Sequence, residues 1–330
     1  MKLGKRILAV LSASVVGGLT FSSMATAQSE GQDAIGESAA VYATFQSDVT
    51  DVRQNPLSSA GDIESTLTNL GGHNAQQLSN GFIAYSALVA SQDPEFRAAV
   101  RDIEGFYGRD SLMLGLRNDV RYARTLEGGN SAVLSSLNSV NADATRLRGA
   151  GAYVKEQAYS LQAAGWAKAT IGNTDAIITR IQSSAQAGRP VRANLRTAFA
   201  SSEIDGVLFQ AGQSGAPSLW ENVNSAAGAV RFPSVNVGYT GRSARIRSGK
   251  EPIADRIATL AAYRVLGTDS TPAQEIRTAM RETSTRNCIN MAQLNLQQCV
   301  AAAHKQYEVP FCIGEHALTD IGDCIGDVAQ

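Results

Sequence analysis

The four cysteines of this 330-residue chain, Cys288, Cys299, Cys312 and Cys324, all fall in its final stretch. Their spacing is C-x10-C, a twelve-residue interval, then C-x11-C. Thr271 to about Lys305 reads as a helix, with apolar Ala273, Ile276, Ala279, Met280, Ile289, Ala292, Leu296, Val300 and Ala303 at helical spacing. Eleven residues make about three helical turns, so Cys288 and Cys299 point to one side. The run Tyr307-Glu308-Val309-Pro310 stops that helix, because proline disfavours the α conformation in the residue before it. A second, shorter helix is predicted over about 314–328. Two antiparallel helices with two cysteines each favour nested bonds, Cys299 with Cys312 and Cys288 with Cys324. Spacing alone leaves three connectivities open.

His304 and His316 lie among these cysteines and raise the alternative of a metal site. Zinc ligands usually come in pairs two to four residues apart, and no such pair occurs here, so no metal and no cofactor is expected. The arrangement is similar to the twin-cysteine helical hairpins of mitochondrial coiled-coil-helix proteins. Those use a nine-residue spacer, so the likeness is one of geometry.

Residues 1–27 read as a cleaved signal peptide. Lys2, Lys5 and Arg6 form a basic start, Ile7 to Val16 is mostly apolar, and Ala25-Thr26-Ala27 is a small-x-small site before Gln28. Export fits the even cysteine count, since disulfides persist in oxidising compartments. The expected location is periplasmic or secreted. Cleavage leaves 26 basic against 30 acidic side chains, a balance that does not suggest a nucleic-acid partner. The longest later apolar run, Phe82 to Ala90, is too short to span a bilayer.

The expected fold is all-α: a multi-helix bundle with a disordered tail (28–38), a helical domain (39–200), an irregular basic loop region (201–250) and C-terminal helices ending in the disulfide hairpin (251–330). Asp93-Pro94 opens one helix as cap and first residue, with Phe96, Val100, Ile103 and Tyr107 facing a core. The most regular signal is a long helix over about 130–171. Val133, Leu137, Val140, Ala144, Leu147, Gly151, Val154, Ala158, Leu161 and Gly165 alternate steps of four and three. A seam of 3.5-residue period favours lengthwise packing on another helix, and its Ala and Gly positions admit a close partner backbone. That partner is either intramolecular or a second copy, so homo-oligomerisation through 133–165 is possible. Gly149-Ala150-Gly151 is a candidate break.

Ser201 to Lys250 holds seven glycines and two prolines with weak periodicity, as well as Trp220. A helix over Ser218–Val230 and a short hairpin around Val235–Tyr239 are the structure expected there. Arg231, Arg242, Arg245, Arg247 and Lys250 lie in twenty residues without an acid, with Phe232 and Tyr239 between them. Such a stretch suits an anionic polymer or membrane surface, or else pairs with carboxylates on neighbouring helices. No nucleophile elbow, zinc-protease motif or phosphate loop is present. Glu37-Ser38 resembles the Glu-Ser of wall-lytic transglycosylases, without that family's other motifs, and Glu104 is a carboxylate beside aromatics. The function expected is an exported, non-catalytic envelope component that binds or scaffolds a protein or envelope polymer. The alternative is a carboxylate-dependent hydrolase of cell-wall glycan.

Overall fold

The computed structural model describes residues 33–201, 204–214, 220, 244–267 and 273–329. The helices are α1 (Ala34–Gln54), α2 (Ala60–Gly71), α3 (Ala75–Ala90), α4 (Pro94–Tyr107), α5 (Arg109–Asn118), α6 (Tyr122–Thr125), α7 (Gly129–Leu161), α8 (Thr174–Ala187), α9 (Ala193–Ala200), α10 (Asp205–Ser214), α11 (Glu251–Leu266), α12 (Ala273–Met280) and α13 (Thr283–Ala302). The chain closes with α14 (Val309–Cys312), a π-helical stretch (Ile313–Thr319) and α15 (Asp320–Gly326), helical without interruption. Among the described residues the fold is all-α, with only two isolated antiparallel bridges, Thr170 to Lys305 and Ile246 to Ala329. No described helix is long and apolar enough to cross a membrane.

One apolar cluster runs from Ala34 to Ala329, so the helices before and after the irregular region share a core. At its centre lies α3, apolar nearly all round and in contact with α1, α7, α10, α11 and α13. Its capping follows local chemistry: the Asn74 side chain accepts from the Gln76 and Gln77 amides. Asp93 likewise caps α4 through the Phe96 amide, with Pro94 in the first turn, as the sequence predicts. Of the four apolar positions expected to face the core from α4, Phe96 and Val100 are buried in it and Ile103 packs partly buried against it. Tyr107 instead stands in solvent, its ring against Phe106 with centroids 4.7 Å apart.

The expected tail ends sooner than its 28–38 assignment. Asp33 caps α1 through the Gly36 amide, and Ala34, Ile35 and Gly36 are buried. The region expected as one helix from Thr271 to Lys305 is two. Glu282 separates them, its carboxylate taking the Ser284 amide at 2.7 Å and the Thr285 amide at 2.6 Å. Pro310 opens the C-terminal helix at its first turn, where a missing N–H costs nothing. The helix thus begins at Val309 and not near Gly314. Residues 1–32, 215–219 and 221–243 lie outside the described residues. With them lie the stretch read as a signal peptide, the expected Val235–Tyr239 hairpin, most of the expected Ser218–Val230 helix, Arg231 and Arg242.

The nested disulfides are present, Cys288–Cys324 and Cys299–Cys312, with no free cysteine among the described residues. They close sequence separations of 36 and 13 residues, which in the chain-entropy account are worth about 4 and about 3 kcal/mol respectively. The two arms differ by one residue between cysteines. Twelve residues of ideal α-helix would set Cys312 and Cys324 about a third of a turn apart. The π stretch lies between them, and a π-bulge accommodates one extra residue within a helix. Both sulfurs of the C-terminal arm therefore meet α13 on one face.

The seam of α7 ends sooner than expected, at Leu161; Gly165 falls after the helix, before a short 3-10 turn at Trp166–Lys168. Gly149-Ala150-Gly151 does not interrupt it. Val133, Leu137, Val140, Ala144, Leu147, Gly151, Val154, Ala158 and Leu161 are all buried. Part of that surface receives the C-terminal helix. A Cβ on Gly151 would lie 2.5 Å from the Gly314 carbonyl oxygen, and one on Gly314 would lie 2.6 Å from that of Gly151. Gly322 and Gly326 approach Ala144 and Leu147 in the same way. The part of the seam from Ala144 to Gly151 is thus occupied within the chain, by the C-terminal helix of the disulfide-bonded hairpin.

Gly149 and Gly151 make a matched test. Gly149 has open space where a Cβ would stand, so Gly149→Ala should stabilise by about 0.5–1 kcal/mol. Gly151→Ala should instead destabilise by about 1–3 kcal/mol through overpacking. Urea unfolding of both variants measures the difference.

Candidate functional site

A polar stripe runs beside the apolar seam of α7. Ser136, Ser139, Asp143 and Arg146 are buried and spaced three, four and three residues apart. Opposite them α1 presents Tyr42, Gln46 and Thr50, one per turn. Asp143 accepts from the Tyr42 hydroxyl at 2.8 Å and from Trp220 Nε1 at 2.6 Å. Gln46 Nε2 donates to the Tyr42 oxygen at 2.8 Å and takes Arg146 Nη1 on its own Oε1 at 2.7 Å. Thr50 completes the chain, bonding Arg146 and donating to the Trp220 carbonyl at 2.9 Å. Tyr85 packs on Tyr42 and Trp220 and meets the Ser139 hydroxyl at 2.8 Å. Burial pushes the Asp143 carboxyl up to about 7, although the Trp220 and Tyr42 hydrogen bonds and the Arg146 charge pull the other way. Burial also raises the Tyr42 and Tyr85 hydroxyls well above the ordinary phenol range. The network residues are buried, and their hydrogen bonds tie Trp220 to α1 and α7.

A second cluster lies nearer the surface, where Asp48 of α1 gathers His73, Arg189 and Arg192. Asp48 Oδ2 is 2.8 Å from His73 Nε2 and accepts Arg189 Nε at 3.0 Å. Its Oδ1 accepts Arg189 Nη2 at 3.1 Å and Arg192 Nη2 at 2.7 Å. Arg192 also reaches Asp51 at 2.6 Å. Burial opposes ionisation of Asp48, yet its His73 hydrogen bond and the two guanidinium groups hold it below the usual carboxylate range. Burial lowers His73, against the pull of Asp48. A carboxylate fixed as an anion by two arginines is a joint between α1, the turn from α2 to α3 and the segment entering α9, and poorly suited to proton transfer.

Of the basic residues expected as a patch, Arg247 and Lys250 both pair with Asp327 beside the C-terminus, Lys250 at 2.5 Å. Arg247 N also donates to the Val328 carbonyl at 3.1 Å. These two cations clamp the chain end, while Arg245 is exposed. Glu104 is gripped by Arg101 and Arg109, each at 2.7 Å, and sits below the normal Glu range, contrary to what a general acid requires. Glu37 is exposed in the first turn of α1. His316 bonds Asp320 at 2.8 Å, and with all four cysteines oxidised the histidines beside them have no thiolate co-ligands. Among the described residues no group of three or more His, Cys, Asp or Glu could hold a metal.

An apolar concavity among the described residues lies where three helix ends meet. Ala158, Tyr159 and Gln162 come from the end of α7, and Cys299, Ala302 and Ala303 from the end of α13. Tyr307 and Glu308 from the 3-10 turn before the C-terminal helix, and Phe311 and Cys312 from its first turn, complete it. The cavity measures about 300 Å³, at the low end of ordinary ligand pockets. Its rim carries Tyr159 at 59 % exposure and Phe311 at 41 %, and the Cys299–Cys312 bond forms part of its wall.

No protein-family model matches the chain, and neither does any curated protein or solved structure. The functional reading therefore rests on geometry.

Sequence reasoning locates the cysteines of this pocket but not the pocket, since Tyr159 and Tyr307 come together only through the fold. It also misses the polar network, although the four-residue spacing of Tyr42, Gln46 and Thr50 on α1 is a signal for it.

The Asp143 carboxyl binds its proton more tightly folded than unfolded. Its contribution to stability is therefore full below about pH 4 and falls as pH rises toward about 7, by up to about 1.4 kcal/mol per unit. Depressed His73 acts oppositely, costing stability as pH drops below its ordinary range near 6.5. Comparing wild type with Asp143→Asn isolates the first effect. Chemical denaturation should show the wild type losing stability relative to the variant between pH 4 and 7.

Proposed function

We propose that this chain is an exported, non-catalytic component of the cell envelope that binds through the pocket walled by the Cys299–Cys312 disulfide. The observation that carries this reading is the pocket itself: apolar, partly open, rimmed by exposed aromatic rings and built on a covalently fixed corner. Exposed aromatics around a concave apolar surface are what a binding site presents to a hydrophobic group of its ligand. Glu104 and Asp48, ionised and engaged by arginines, and Asp143, enclosed, support binding over carboxylate catalysis. Two disulfides and the basic, apolar, small-residue pattern of residues 1–27 support export.

The uncharged fluorophore N-phenyl-1-naphthylamine tests the binding reading. Its emission should rise saturably on adding the oxidised protein, and Phe311→Ala should weaken binding roughly tenfold, about 1.4 kcal/mol. An unenhanced probe removes the pocket from consideration. Export is checked on protein from its native cells: the mature chain should begin at Gln28 and fractionate outside the cytosol. A retained Met1 in the cytosolic fraction overturns it.

A further inference from the structure

The pocket between the ends of α7 and α13 has a charge character as well as an apolar one. Three aromatic side chains line it, Tyr159, Tyr307 and Phe311, and its one ionisable acid is Glu308; no lysine, arginine or histidine is among the lining residues. Aromatic faces attract cations through their quadrupoles. Two helices finish there, α7 at Leu161 and α13 at Ala302, and both contribute their last turns to the wall. A helix C-terminus carries partial negative charge, so both ends favour a cation. The C-terminal helix begins at the same place with the opposite polarity, but Glu308 stands at that end and offsets it. The nearby Lys305 ammonium is turned to Thr170 Oγ1 at 3.1 Å, and His304 is exposed outside the lining. Glu308 Oε2 accepts the His304 and Lys305 amides at 2.6 and 3.1 Å, which fixes the carboxylate in position.

We infer that this pocket takes a small organic cation with apolar substituents, of the quaternary trimethylammonium class. The inference rests on the binding reading above and adds the chemical class of the ligand. A volume of about 300 Å³ admits such a headgroup, and the apolar wall suits methyl groups that an ammonium ion with N–H donors would not need. Full desolvation of a primary ammonium would leave those donors unbonded, whereas a quaternary centre has none.

The test uses the oxidised full-length mature protein and competition against N-phenyl-1-naphthylamine. Choline and its uncharged isostere 3,3-dimethyl-1-butanol are the competitors. Choline should displace the probe at a concentration roughly tenfold lower than the isostere, a preference of about 1.4 kcal/mol. Glu308→Gln keeps an acceptor for the two amides while removing the charge. It should reduce the choline preference and leave displacement by the isostere unchanged. Tyr159→Ala, at a half-exposed site, should reduce the preference, and Tyr159→Phe should retain it. Equal displacement by the two competitors overturns the cation class and leaves an apolar binding site standing. Probe binding that choline cannot disturb overturns it too. Absence of probe binding defeats the binding reading itself, and the cation class with it.

Discussion

The contact on which this architecture depends is the backbone-to-backbone approach of α7 and the C-terminal helix at Gly151 and Gly314. Neither position has room for a methyl group, and each carbonyl lies where the other's Cβ would be. Thr319 Oγ1 donates to the Gly314 carbonyl at 2.9 Å in the same place, so the looser π turn keeps its oxygen bonded. Once the two helices are this close, α13 is held against the same helix by both disulfides, and the corner beside Cys299 is fixed on three sides. The apolar pocket is a by-product of that corner, since its walls are the three helix ends that the contact and the bond bring together.

Helix α7 is buried along two parallel lines of opposite character. Its apolar seam receives the C-terminal helix, while its polar line faces α1 and Trp220. A buried Arg146 and a buried Asp143 would be costly alone. Here each is bonded into a relay through Gln46, Tyr42 and Thr50, and such networks specify a single packing register as well as stabilising it. Two adjacent lines that must both be satisfied leave α7 little freedom to rotate or slide.

The parts of this fold that are legible in the sequence are those set by local chemistry or by strict period. Asp93-Pro94, the seam from Val133 to Leu161 and the disulfide-bonded hairpin belong to this group. The parts that are not depend on partners remote in the chain. Tyr107 has the spacing of a core residue but is the last residue of α4 and stands in solvent. Arg247 and Lys250 read either as an anion-binding patch or as partners of carboxylates on other helices, and the choice rests on Asp327, about eighty residues away. Glu282 caps a helix in the middle of what periodicity reads as one element, since a side-chain cap interrupts a helix without disturbing the apolar pattern. The pocket is assembled from three helix ends, and no single segment carries its signature.

The π stretch at Ile313–Thr319 has a genetic consequence. It stores one surplus residue between Cys312 and Cys324, so a single-codon deletion there would let the arm relax into ordinary α-helix with its sulfurs still facing α13. The hairpin is thereby tolerant of a length change that elsewhere would turn one cysteine away from its mate. The twelve-residue arm with the bulge and an eleven-residue arm without it are both compatible with the same covalent bonds.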